Sequence, residues 1–203
     1  MKLLIFLPTL FAIPATDVSN KRIGDDCEWF DGIEGQHLDC MPGWTAHGAC
    51  TSGRRNDCQS RILSTKFSSQ VKCCPNKNKN TENYVYHEQG HNYGVEATCD
   101  VADETSNNVW PVSGICASSN KAGCSFDGQN HFIAFTCVEN NDIETDSIDK
   151  CAWIYGKYGV QLECPDNYVM SGLCGSGGKG DCKDGTFTGI FCCPYSDIRG
   201  PRK

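Results

Sequence analysis

The five residues His87-Glu88-Gln89-Gly90-His91 satisfy the pattern His-Glu-x-x-His. On a helix, imidazoles four residues apart share one face and can hold Zn²⁺, with Glu88 as general base toward a metal-bound water. Asn92-Tyr93-Gly94 extends the pattern toward a metzincin protease, but the place of the next ligand, three residues past the glycine, is taken by Ala97. Such an enzyme also needs a sizeable sheet upstream, where only a cysteine-rich stretch stands. The segment aligns with residues 152–156 near the far end of the chain, where Trp153, Ile154 and Tyr155 read as strand. His37, His47 and His131 are scattered and belong to no nucleophile motif. An even number of cysteines obliges no thiol to be free, and a carboxylate pair for glycoside chemistry has no signature in one sequence. The first expectation is therefore a protein without catalytic residues, metal or cofactor, and a zinc hydrolase at His87, Glu88 and His91 is an alternative.

A second set of candidates is defined by position. Trp44, Trp110 and Tyr168 each stand six places before a cysteine, at Cys50, Cys116 and Cys174. Aromatic faces beside polar turns suit sugar rings, and three equivalent sites would multiply weak contacts to a polymer. The competing reading is that these rings fill a small core beside disulfides. Gly48, Gly114 and Gly172 stand two places before the same cysteines; Ser52, Ser118 and Ser176 follow them, then Arg55, Lys121 and Lys179. These Ser-plus-basic loops read as polar rims or as tight turns inside a cysteine clip.

Those offsets belong to three internal copies, which must position any such site. Cysteines fall at 27, 40, 50, 58, 73 and 74 in the first copy and at 151, 164, 174, 182, 192 and 193 in the last. Both copies end in Cys-Cys-Pro, and their first three gaps are identical. Cys99, Cys116, Cys124 and Cys137 form a middle copy with four cysteines. It has Tyr86 and Val138 where its neighbours have their first and last. Two residues absent together are most simply partners, which predicts Cys27 with Cys74 and Cys151 with Cys193. Adjacent cysteines on a strand point to opposite faces, so Cys73 and Cys74 join different elements. For the others spacing leaves alternatives open. The favoured set is Cys50 with Cys58, Cys40 with Cys73, Cys116 with Cys124, Cys99 with Cys137, Cys174 with Cys182, and Cys164 with Cys192.

The stretches 131–137, 168–174 and 187–192 are short, rich in aromatic and β-branched residues and bounded by Gly, Asn and Asp; sustained helical periodicity is absent. The runs 75–83 and 139–149 read as linkers, and 100–108 as an acidic insertion in the middle copy. Each copy is about 60 residues, too small to bury much surface alone, so one domain with pseudo-threefold symmetry is expected. The expected layout is a signal peptide and short N-terminal segment at 1–22, then one domain over 23–203 with repeats 27–74, 86–138 and 151–193.

The chain has 203 residues, 16 of them cysteine. Leu, Ile, Val and Phe make up only about a fifth of it, a composition of disulfide-built secreted folds. Its 25 acidic residues exceed its 18 basic ones, which argues against a nucleic-acid partner. Lys2, an apolar run over 3–11 and the small residues Ala12 and Ala15 follow the plan of a secretory signal; the run is too short to span a bilayer. Lys21-Arg22 is a candidate dibasic processing site, and no Asn-x-Ser/Thr acceptor occurs.

The last copy carries Tyr155-Gly156-Lys157-Tyr158-Gly159 before Cys164-Pro165, then Asp181, Thr186 and the run to Cys192-Cys193. His91-Asn92-Tyr93-Gly94 before Cys99 and Asp31-Gly32-Ile33-Glu34-Gly35 before Cys40 echo it. In this plan the chain resembles the vitelline membrane outer layer proteins, secreted egg-coat proteins with three repeats. The resemblance implies an all-β, disulfide-rich β-prism: three antiparallel sheets around a pseudo-threefold axis. It also implies a role in an extracellular coat, with glycans or matrix components as partners. The expected function is a secreted, non-enzymatic coat or fluid protein that binds carbohydrate. The alternatives are the zinc hydrolase, a glycan-modifying enzyme, and a secreted toxin or defence protein.

Overall fold

The computed structural model describes residues 26–52, 58–59, 66–67, 69–76, 85–99, 109–118, 123–126, 129–139, 143–145, 148–157, 159–176 and 180–197. The expected export signal, the insertion 100–108, most of the run 75–83, and Arg55, Lys121 and Lys179 lie outside the described residues. The described chain is all β, with no helix of seven or more residues.

The first segment forms β1 (Glu28–Gly32), β2 (His37–Asp39), β3 (Trp44–Thr51), β4 (Cys58–Gln59), β5 (Lys66–Phe67) and β6 (Ser69–Pro75). The second forms β7 (Val85–His91), β8 (Ala97–Thr98), β9 (Val112–Ala117), β10 (Cys124–Phe126), β11 (Gln129–His131) and β12 (Ile133–Glu139). The third forms β13 (Ile143–Thr145), β14 (Ala152–Gly156), β15 (Leu162–Glu163), β16 (Tyr168–Gly175) and β17 (Thr188–Asp197). One expectation is corrected here: the run 139–149 is more than a linker, because β13 within it pairs antiparallel with Tyr195, Ser196 and Asp197 of β17. Three residues are too few to show strand periodicity in a sequence.

Three principal sheets run in the orders β1-β6-β3-β15, β7-β12-β9-β2 and β14-β17-β16-β8. Along each of these paths three strands come from one segment and the fourth, a strand of two or three residues, comes from another; β13 of the third segment adds a fifth strand to the last sheet, beside β17. Segment one lends β2 to segment two, segment two lends β8 to segment three, and segment three lends β15 to segment one. The receiving strands β3, β9 and β16 share one irregularity, a bulge at His47, Ser113 and Ser171 immediately before Gly48, Gly114 and Gly172. A bulge leaves its residue unpaired in its own ladder and re-aims the backbone. Here the three freed carbonyls accept the N–H groups of Cys164 (2.8 Å), Cys40 (2.6 Å) and Cys99 (2.8 Å), which close the lent strands. The glycines make room for those strands. A Cβ at Gly48 would lie under 3.0 Å from the carbonyl oxygen of Leu162, one at Gly114 under 3.0 Å from Asp39 Oδ1, and one at Gly172 under 3.0 Å from the carbonyl oxygen of Ala97. A missing side chain is what lets two backbones approach this closely.

All eight expected disulfides are present, and no described cysteine is free. Cys27–Cys74 and Cys151–Cys193 bind each outer strand to its neighbour, with Cα atoms 4.2 Å apart in both. Closing loops of this size is worth roughly 4 kcal/mol in the chain-entropy model. One core cluster draws on all three sheets, through Leu38, Val71, Ile115, Phe135, Met170, Leu173 and Ile190 together with the half-cystines Cys40, Cys73, Cys99, Cys137 and Cys192. Sulfur takes the place of much of the aliphatic mass that this composition lacks. The first and third segments match Gly32 to Leu38 and Gly156 to Leu162, each leucine filling the space over its glycine. The second segment has the sizes reversed, with His91 and Ala97.

Candidate functional site

The His-Glu-x-x-His segment is β7, a strand paired with β12 along its whole length. The zinc-hydrolase alternative needed a helix, and the strand removes its geometry. Glu88 faces away from His87, and His87 and His91 are roughly 13 Å apart at the rise of an extended chain. Each imidazole has other neighbours. His87 stacks on Trp110 with ring centroids 4.6 Å apart, and its Nε2 lies 3.3 Å from Glu139 Oε2. His91 stacks on Phe135 at 5.6 Å, and burial, then the nearby His131, push its pKa down. Among the described residues no group of three or more His, Cys, Asp or Glu converges as a metal site.

Trp44 and Tyr168 open β3 and β16, and Trp110 stands just before β9, so the three rings occupy the entry to the receiving strand of each sheet. The chain reaches them through matching turns: the Trp44 N–H donates to the carbonyl of Met41 and that of Tyr168 to Pro165. All three rings are half-buried and pack against the main core cluster, and all three keep part of their surface in solvent. Trp110 has one face covered by His87. Beside Tyr168, His47 is packed between segments one and three and meets Tyr195 edge-on at 5.9 Å. Desolvation, followed by the charge of Lys72, pushes the pKa of His47 down to about 4, and a hydrogen bond with the Tyr168 backbone opposes the shift.

The serines after the clip cysteines are interior. Ser52, Ser118 and Ser176 are buried. Ser176 Oγ accepts the N–H groups of Gly180 (3.0 Å) and Asp181 (3.1 Å), which ties the Cys174–Cys182 clip into a tight turn. Of the two readings of these loops, the geometry at Ser176 supports the turn.

A further aromatic pair stands in the third segment. Trp153 and Tyr155 lie on the outer face of β14, since Ile154 between them packs on the core. Their rings are 5.9 Å apart and nearly parallel at 17°, and Trp153 meets Phe191 at 5.2 Å. Tyr155 donates a 2.7 Å hydrogen bond to Glu96 Oε1, and Lys183 Nζ lies 6.0 Å from the centroid of its ring. Burial, then Glu96, then Asp184 raise the Tyr155 pKa, so the phenol is protonated throughout the physiological range. The available signal was the alternation Trp-x-Tyr in a strand, which marks one face.

No protein-family model matches the chain, and no curated protein or solved structure does either. The described residues contain no helix long and apolar enough to cross a membrane.

Proposed function

We propose that this chain is a secreted, non-enzymatic protein of an extracellular coat or fluid, with carbohydrate as its ligand class. Residues 23–203 form one domain, a pseudo-threefold β-prism of three repeats of about 60 residues, as the resemblance to the vitelline membrane outer layer proteins implies. The observation that carries this reading is cyclic strand lending between three sheets in a chain with eight disulfides. Disulfides at this density are typical of extracellular proteins, and a closed ring of sheets supports a durable scaffold better than a moving catalyst. The half-buried rings of Trp44, Trp110 and Tyr168 are the repeated contacts through which a glycan polymer is held.

The test is binding to immobilised glycans by the wild type and by a variant with Trp44, Trp110 and Tyr168 all changed to Leu. Leucine keeps apolar volume against the core and removes the flat ring. Retention of the wild type, and retention weakened about tenfold or more in a variant with unchanged far-ultraviolet circular dichroism, is the expected result. A wild type that binds no glycan overturns the ligand class.

A further inference from the structure

We infer that the outer face of the third sheet carries a separate saccharide-binding platform, formed by Trp153 and Tyr155 with Glu96, Lys183 and Asp184 at its rim. It shares the ligand class proposed above but none of its residues, and it is present once. The two rings are fixed by the residues opposite them. Tyr155 pairs with Gly189 across β14 and β17, and a Cβ at that glycine would come 3.0 Å from the ring carbons Cδ1 and Cε1. The phenol ring therefore rests on bare backbone. Trp153 is set beside it, half-buried, and packs with its cross-strand partner Phe191 and with Val109 and Cys193 in a second, smaller apolar cluster.

The fold does not require this pair. At the equivalent register positions the first sheet has Trp29 and Asp31 opposite Lys72 and Gln70, and the second has Glu88 and Gly90 opposite Thr136 and Ala134. Two sheets thus form without two adjacent outer rings. The rim carries a second mark. Lys183 and Asp184 sit in a short 3-10 turn in which Asp184 adopts φ 56, ψ 30, a left-handed conformation that a residue with a side chain holds only at a cost. Glu96 belongs to the second segment, on the turn that leads into the lent strand β8, so the closure of the sheets brings this acceptor to the platform.

A pyranose ring is the occupant that fits. Its C–H faces suit an aromatic floor, and its peripheral hydroxyls both donate and accept, as the two carboxylates and one ammonium require. Two carboxylates against one ammonium select neutral sugars over sulfated or uronic ones. The chain's net charge of −7 disfavours a second copy of itself as the occupant.

The test is titration of the full oxidised chain with cellotetraose and with chitotetraose, followed by tryptophan fluorescence and calorimetry, in the wild type and in Trp153→Leu, Tyr155→Leu and Glu96→Gln. Binding of at least one neutral oligosaccharide is expected, weakened about tenfold or more by either Leu change and a few-fold by Glu96→Gln. It is expected to survive in the Trp44, Trp110, Tyr168 triple-Leu variant, so that failure here and failure of the repeated-ring site are told apart. Tyr155→Leu and Glu96→Gln alter a half-buried and an exposed group and keep the test open if Trp153→Leu misfolds. The inference is overturned if neither sugar binds, or if binding is lost in the triple-Leu variant and kept in Trp153→Leu and Tyr155→Leu. A concentration-dependent dimer abolished by Tyr155→Leu also overturns it, because the face is then a contact between copies.

Discussion

Three glycines two residues before a cysteine do the same work in three places. At Gly48, Gly114 and Gly172 the absent side chain is the space into which another segment's backbone or its carboxylate fits. Gly48→Ala sets a Cβ against the carbonyl oxygen of Leu162, which cannot rotate away, so the expected loss is roughly 3 kcal/mol or more. Gly185 is the contrast: its φ is +73 and nothing lies near its missing Cβ, so Gly185→Ala should cost about 1 kcal/mol for the left-handed backbone alone. Guanidinium unfolding of the two variants checks the order. His47 supplies a pH test. Its folded pKa of about 4 lies below the ordinary 6.5, so the unfolded chain takes up the proton first as pH falls. The native state is therefore unaffected by this residue above pH 6.5 and loses stability between 6.5 and about 4, by up to roughly 3 kcal/mol. His47→Gln should flatten that part of the stability profile; an unchanged slope would show that His47 titrates normally.

At the scale of strands, the middle segment differs from its neighbours by one missing bridge. Tyr86 and Val138 are direct cross-strand partners, in the same register relation that joins Cys27 to Cys74 and Cys151 to Cys193. Replacing both by Cys should form a ninth disulfide without rearrangement and add roughly 2–4 kcal/mol. A thiol assay that finds no free sulfhydryl, together with a raised melting temperature, is the expected outcome. This wiring was readable because a covalent pair leaves a trace in both partners: lose one, and the other goes too. The lent strands were not readable. β2, β8 and β15 have two or three residues, too few for a period of two to show, and nothing local says which segment's sheet receives them. The glycines before Cys50, Cys116 and Cys174 were visible as a fixed offset, but their reason lies in a backbone distant in sequence. The His-Glu-x-x-His segment illustrates the reverse. Its spacing is meaningful only on a helix, and alignment with residues 152–156 already marked it as strand. Trp153 and Tyr155 are legible as strand, but which face of β14 carries them depends on the core that Ile154 packs against, and that core is assembled from distant segments.

For the molecule as a whole, the order of lending decides how the parts hold together. Segment one gives to two, two to three and three back to one, so none of the three principal sheets is complete without another segment, while every disulfide stays within its own segment. The bridges therefore make each segment's internal register durable, and hydrogen bonds and glycine-cleared contacts join the segments. The covalent map says nothing about that joining, so it must be tested by proximity. The most direct measurement is the set of nuclear Overhauser contacts in isotope-labelled, oxidised protein between Leu38 and Ile115, Ala97 and Leu173, and Leu162 and Ala49, one cross-strand pair from each of the three lent strands. All three contacts, within one molecule, are the predicted result. Contacts of Leu38, Ala97 and Leu162 confined to their own segments would contradict the account.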